Sequence, residues 1–332
     1  MVIFMQLISE LREKIKTNIE KVIVGKSEIT DLLIIALLCD GHVLIEDVPG
    51  TGKTVIVKSL AASVDCIFKR IQFTPDLLPT DITGINFFNM KISEFEFIPG
   101  PVFSNIILAD EINRATPKTQ SGLLECMEEH QVTIDAVTRK LSSPFLVIAT
   151  QNPIESMGVF PLPEAQLDRF LVKVTMNYPT RKESDEILKR FASENPLNNL
   201  KAVVSKSEIL EAREALKNIY VHNDLFSYIS AITEASRNAE GVALGLSPRG
   251  ALALLQVSKG YAAIQGRNYV IPDDIKRATP FVVGHRLILK SSAKVNRNAA
   301  SAIVSDIISR VTVPTEDLSG WNITPKQPIK NI

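Results

Sequence analysis

The chain has 332 residues, 45% of them hydrophobic, enough to bury a large core, and its length sets two domains as the starting expectation. Its 37 Lys+Arg balance 37 Asp+Glu, which counts against wholesale coating of a nucleic acid. Cys39, Cys66 and Cys126 are far apart, without metal spacing or a disulfide framework, so free buried thiols in a reducing compartment are expected.

In chain order, the N-terminal stretch MVIFMQLISELREKI turns charged quickly and lacks a basic leader. It reads as an amphipathic helix rather than a signal peptide. The longest apolar stretch, Leu32 to Cys39, falls far short of the ~20 residues of a membrane span. A cytoplasmic protein without a membrane span is the expectation.

His42–Ile45 is a short apolar run suited to a buried strand, and EDVPGTGKT follows it, Glu46 to Thr54. Anion cradling needs backbone N–H groups aimed inward ahead of a helix N-terminus. Gly50 and Gly52 allow the positive φ angles of such a nest. Lys53 would reach the β- and γ-phosphates, and the Thr54 hydroxyl would hold Mg²⁺. Val55, Ile56, Val57, Leu60 and Ala61 then continue with a pattern compatible with a helix. Asp47 stands where the G-x-x-x-x-G-K-[ST] pattern has its first glycine, which removes none of the assigned phosphate contacts.

Further apolar runs at Ile67–Phe73, Asn105–Ala109, Pro144–Ala149 and Phe170–Val174 predict strands alternating with helices, and so a mainly parallel sheet. Phe87 to Pro101 and Gln131 to Leu141 interrupt this pattern and read as hairpins, the second turning near Asp135-Ala136. The strand before Asp110 and Glu111 ends in two carboxylates. Asp110 suits Mg²⁺ coordination, since Mg²⁺ takes few protein carboxylates, and Glu111 suits orienting a water against the γ-phosphate. Asn152 tips another strand, where it would bond the γ-phosphate or the attacking water. Asn152-Pro153 is also a strong turn dipeptide. Arg169, just before a strand, and Arg249, behind an N-cap Ser247 and Pro248, are candidates for stabilising phosphate charge.

Tyr178-Pro179-Thr180 marks a boundary, so the chain divides into 1-178, an αβα nucleotide-binding domain, and 179-332, a helical lid domain with a C-terminal tail. Thr180 and Glu183 form a capping box. Everything beyond reads helical, with periodic stretches at Ile209–Ile219, Asp224–Asn238, Pro248–Gln265 and Pro272–Phe281 and a stop at Gly266. The tail from Thr315 carries prolines, little periodicity and Trp321.

In order along the chain, GTGKT, LADEINRA, IATQNP, EAQLDRF and LSPRGA, with PDLLPTDITG, FIPGPVF and LLECMEEHQVTID between them, resemble the MoxR family of AAA+ ATPases from Val22 to Arg286. The resemblance implies an AAA+ αβα sandwich with a five-stranded parallel sheet, order 5-1-4-3-2, plus an α-helical lid. It implies ATP and Mg²⁺ as ligands. Lys53 and Thr54 match Walker A, with Pro49, Gly50, Thr51, Gly52 and Val55 around them. Asp110 and Glu111 match Walker B, Asn152 sensor 1, Arg169 a trans-acting arginine finger and Arg249 sensor 2, tying the lid to the nucleotide. Val24 and Gly25 match the segment bordering adenine, and Arg114 would face a neighbouring subunit. The inserts correspond to the helix-2 insert and the pre-sensor-1 hairpin. A homo-oligomeric ring, commonly hexameric, is implied, acting as a chaperone-like ATPase on client proteins with a von Willebrand factor A-domain partner. The alternatives are a nucleic-acid motor, a chelatase-type motor subunit and a nucleotide-gated scaffold. Balanced charge and the absence of interleaved aromatic and basic residues count against the first. The intact Glu111 counts against the last.

Overall fold

The computed structural model describes residues 2–48, 50–152, 158–291, 293 and 298–314. Two helices lead in, α1 (Val2–Glu20) and α2 (Ser27–Leu38). Ile8, Leu11, Ile15 and Ile19 recur at three- and four-residue spacing along α1, and all four are buried. The apolar run Leu32 to Leu38 lies in α2 and is buried throughout, so it is a core helix.

The alternating part then runs β1 (Val43–Glu46), α3 (Lys53–Ser63), β2 (Phe68–Gln72), α4 (Pro79–Thr83), β3 (Gly84–Asn89) and β4 (Glu94–Pro99). It continues with β5 (Ile106–Asp110), α5 (Pro117–Glu129), β6 (Gln131–Ile134), β7 (Val137–Lys140), β8 (Leu146–Gln151), α6 (Glu164–Leu167) and β9 (Val172–Val174). β2-β5-β8-β1-β9 form a 5-stranded sheet whose pairings are all parallel. Counted among themselves in chain order, these strands stand 5-1-4-3-2.

Side chains alternate across a strand. Val43, Ile45, Ile106, Leu108, Ile148 and Val172 face one core with α1, α2 and α3, whereas Leu44, Ile107, Ala109 and Val147 face a second core with α4 and α5. This is the expected three-layer sandwich. Both inserts are antiparallel hairpins, β3 with β4 and β6 with β7. Asp135 and Ala136 both adopt positive φ, 47° and 63°, the backbone of a two-residue hairpin turn. The hairpins touch each other: Asn86 Nδ2 donates to Asp135 Oδ2 at 2.6 Å, and the Arg139 guanidinium lies 4.0 Å from the Phe97 ring centroid.

α7 (Arg181–Phe191) opens on the predicted capping box: Thr180 N donates to Glu183 Oε2 at 2.6 Å, and Glu183 N to Thr180 Oγ1 at 3.4 Å. There follow α8 (Lys206–Lys217), α9 (Asn223–Asn238), β10 (Val242–Leu244), α10 (Pro248–Ile264), α11 (Pro272–Val283), β11 (Ile288–Leu289) and α12 (Ala299–Arg310). The all-helical expectation is corrected here, because β10 and β11 pair as an antiparallel ribbon. At 3 and 2 residues they are too short to show a period. Trp321 and the tail from Thr315 lie outside the described residues.

Candidate functional site

The phosphate-loop residues follow β1. Gly50 and Gly52 have φ of 82° and 91°, the left-handed region that glycine enters without a Cβ penalty. Gly52 is the N-cap of α3 and Lys53 its first residue, so the chain turns directly from loop into helix N-terminus. The first N–H groups of an α-helix lack intrahelical acceptors and favour an anion. Thr51 Oγ1 donates to Val48 O at 3.2 Å, tightening the turn. The Lys53 ammonium donates to Asp47 O at 2.5 Å and Val48 O at 3.2 Å, so its charge is held at the loop. Asp47 is buried; its Oδ1 accepts from Val48 N at 2.7 Å, and its Oδ2 has no hydrogen-bond partner among the described residues. Pro49 lies outside the described residues.

Beside the loop is a cavity of about 350 Å³ lined by Val24, Gly50, Thr51, Gly52, Val55 and Met176, among others. Its far wall comes from α7, through Ile187, Leu188 and Phe191. Gly25 turns the chain beside it at φ 72°, and a Cβ there would fall 1.6 Å from Glu183 Oε1. The positive φ favours glycine, and any larger residue would also push aside the Glu183 carboxylate that caps α7. A charged loop continuous with an apolar cleft suits a phosphorylated aromatic base.

β8 lies between β1 and β5, so the ends of all three strands reach one edge of the sheet. There Asp110 ends β5 and Asn152 follows β8. Asp110 is buried and held at both oxygens: Thr150 Oγ1 donates to its Oδ1 at 2.6 Å, and Arg70 donates to its Oδ2 from Nε at 3.1 Å and Nη2 at 2.7 Å. Glu111 turns out of the strand at φ 57°. Its carboxylate accepts from Gln72 Nε2 at 2.8 Å and pairs with Arg114 Nε at 3.1 Å. Asn152 is buried, and its carbonyl accepts from Asn113 Nδ2 at 3.4 Å.

The donor set fits Mg²⁺: a threonine hydroxyl at 54 and a single strand-end carboxylate offer hard oxygens. No group of three or more His, Cys, Asp or Glu among the described residues forms a dedicated cage. Mg²⁺ keeps most of its waters and asks little of the protein.

Arg169 and Arg249 lie elsewhere. Glu128 bridges them, its Oε2 3.0 Å from Arg169 Nη2 and its Oε1 3.2 Å from Arg249 Nη1. Next to Glu128, the Met127 carbonyl meets His42 Nε2 at 3.0 Å, and Leu171 N donates to His42 O at 2.8 Å. His42 stands at the start of β1, so the two arginines gather at the sheet edge opposite their own phosphate loop. β1 has 4 residues, so the edges are roughly 13 Å apart. The arginine segment is firmly braced. Ser247 Oγ accepts from Gly250 N at 3.0 Å and donates to Asp168 Oδ2 at 3.2 Å. Buried Arg286 grips Asp168 Oδ1 at 2.6 Å and Phe170 O at 2.7 Å.

Thus Lys53, Thr54, Asp110, Glu111 and Asn152 stand along one sheet edge, and Arg169 and Arg249 stand together at the other. Sequence reasoning did not single out Arg70, Gln72, Glu128 or Asp168. The one signal for the first two was a pair of polar residues two apart, at 70 and 72 of FKRIQ, an otherwise strand-like run. All three cysteines are free thiols, as expected, but only Cys126 is buried while Cys39 and Cys66 are half-buried; burial pushes Cys39 and Cys126 up to about 12, so both stay as inert thiols.

A parallel sheet carrying a phosphate loop, an acidic pair and an asparagine on one edge, followed by a helical segment, defines an AAA-type ATPase. Residues 42–172 match the family model described as ATPase family associated with various cellular activities (AAA), and residues 234–307 the AAA lid domain. The chain is 48% identical to the uncharacterized protein YeaC of Bacillus subtilis, over 90% of this chain and 93% of that one. It is 41% identical to Chaperone MoxR1 of Mycobacterium tuberculosis, over 90% of this chain and 81% of that one. A crystal structure of a candidate ATPase from Cytophaga hutchinsonii superposes with a TM-score of 0.86 at 39% identity, covering 93% of this chain and 98% of that one. The chain belongs to the MoxR family of AAA+ ATPases. No helix among the described residues is long and apolar enough to cross a membrane.

Proposed function

We propose that the chain hydrolyses ATP by in-line attack of water on the γ-phosphate, at a site that a neighbouring protomer completes. The observation that carries this reading is the shared sheet edge, where the phosphate loop, Asp110, Glu111 and Asn152 end adjacent strands beside an apolar cavity. Val24, Gly25 and the α7 wall would hold the base. Backbone N–H groups from Gly50 to Thr54, with Pro49 leading in, would hold the phosphates. Lys53 neutralises β- and γ-oxygens, Glu111 orients the water, and Asn152 holds the γ-phosphate or that water by its amide. Such catalysis is mostly positioning and charge stabilisation. Mg²⁺, held by Thr54 and through water by Asp110, supplies further neutralisation of phosphate charge when bound.

Arg169 and Arg249 stand at the sheet edge away from their own loop, on one carboxylate. We therefore assign both to the nucleotide of the next protomer in a ring, hexameric as the family resemblance implies. Hydrolysis then moves the helical segment, 179–332 in this reading, and the two touching hairpins against a client protein. A von Willebrand factor A-domain protein is the expected partner in that chaperone-like work.

Phosphate release and nucleotide binding test the chemistry together. Lys53→Ala abolishes both. Glu111→Gln abolishes release while ATP stays bound, because only water activation is lost. Equal loss of binding in the two variants would contradict these roles.

A further inference from the structure

We propose that Arg70 is a positioning residue for hydrolysis, coupling the metal carboxylate Asp110 to the water-orienting Glu111. The proposal rests on the functional reading above and adds a residue to it.

Arg70 and Gln72 stand two apart on β2, in register with Leu108 and Asp110 of β5. Alternate residues of a strand share a face, so both side chains lie along the acidic end of β5. Arg70 donates twice to Asp110 Oδ2, from Nε and Nη2, at 3.1 and 2.7 Å. Thr150 Oγ1 takes one site on Oδ1 at 2.6 Å. An ionised carboxylate offers about four lone-pair sites. Three are therefore filled among the described residues, which leaves one on Oδ1. Arg70 and Thr150 together fix the Asp110 rotamer and choose which oxygen can meet a metal-bound water.

The same Nη2 also donates to Gln72 Oε1 at 2.6 Å. That bond sets the amide's direction: its oxygen faces Arg70, so its NH₂ faces Glu111 Oε2, at 2.8 Å. A flipped amide would turn its oxygen to the carboxylate and its NH₂ to the guanidinium, losing both bonds. One guanidinium thus reaches two carboxylates, Asp110 directly and Glu111 through Gln72, whose NH₂ shares Glu111 Oε2 with Arg114. A lysine supplies a point charge and lacks the planar fork that makes these three bonds at once. The Arg70 side chain is 44% exposed, so removing it opens no core cavity.

The test uses the full chain with Arg70→Ala, Arg70→Lys, Arg70→Gln and Gln72→Ala, melting temperatures confirming that each folds. A fluorescent ATP analogue reports binding, first in chelator and then across a Mg²⁺ titration. Phosphate release at saturating ATP and Mg²⁺ reports turnover. In chelator, every variant should bind within about threefold of wild type, because the phosphate loop is untouched. In Arg70→Ala and Arg70→Gln, the Mg²⁺ midpoint of binding should rise about fivefold or more, and turnover should fall about tenfold or more, the scale of lost hydrogen bonds to a charged group. Arg70→Lys should not restore the midpoint. Gln72→Ala should lower turnover and leave the midpoint unchanged, since only the arm to Glu111 is cut. A wild-type midpoint in both Arg70→Ala and Arg70→Gln overturns the proposal, as does a midpoint shift in Gln72→Ala equal to theirs. If wild type itself neither binds the analogue nor releases phosphate, the ATPase reading fails first.

Discussion

Asp47 occupies the place of a patterned glycine, and the structure explains why the loop accepts it. Its backbone carbonyl, which any residue supplies, holds Lys53 at 2.5 Å. Its side chain does one further thing, accepting from Val48 N, and leaves a buried oxygen without a hydrogen-bond partner among the described residues. Asp47→Gly gives up one hydrogen bond but also removes a buried carboxylate, and these costs oppose each other. ATP affinity should change by less than about tenfold, or ~1.4 kcal/mol. A titration showing a larger loss would mean that the carboxylate itself holds the loop or its ligands. The residues on the phosphate-loop edge were legible because their spacing obeys the chemistry of one ligand. Arg70 and Gln72 were not, because their partners belong to another strand and only strand register brings them together.

At the scale of elements, the long periodic helices and the buried strands were legible within a few residues of their ends. The β10–β11 ribbon was not, since its two short segments are separated in sequence by α10 and α11. His42 shows how one side chain ties elements together. Its Nδ1 accepts from Val147 N at 3.0 Å, so its Nε2–H donates to Met127 O, linking β1, β8 and α5. Burial lowers its pKa from 6.5 to about 4, and His285, buried beside Arg286, is also lowered. Below pH 6.5 the unfolded chain takes up a proton that folded His42 refuses. Stability should therefore fall as pH drops from 6.5 towards 4, His42 alone accounting for about 3 kcal/mol. Urea unfolding of His42→Gln should begin from lower stability at neutral pH and lose less between pH ~7.5 and ~5 than wild type. Equal losses in both would remove His42 from the pH response.

For the whole molecule, the separation of functional groups matters most. One sheet edge holds the groups proposed to bind phosphate and orient water, and the opposite edge holds Arg169 and Arg249 on Glu128. A closed ring of head-to-tail contacts sets one edge of each protomer against the other edge of the next. In the proposed ring the lone chain would be half of a catalytic unit, and Glu128 would keep the two guanidiniums paired until a neighbour's phosphates compete for them. Mixed-protomer ATPase measurement tests this claim most directly. Arg169→Ala keeps its own loop and Glu111 but cannot serve a neighbour, whereas Lys53→Ala has a dead site but still offers both arginines. Each alone should be nearly inactive. Mixed in equal amounts and allowed to exchange, roughly a quarter of the interfaces become whole, and phosphate release should partly recover. Arg249→Ala mixed with Lys53→Ala should recover likewise, which an arginine acting on its own nucleotide would not allow. Demonstrated co-assembly with no return of activity in either mixture would contradict a site shared between protomers.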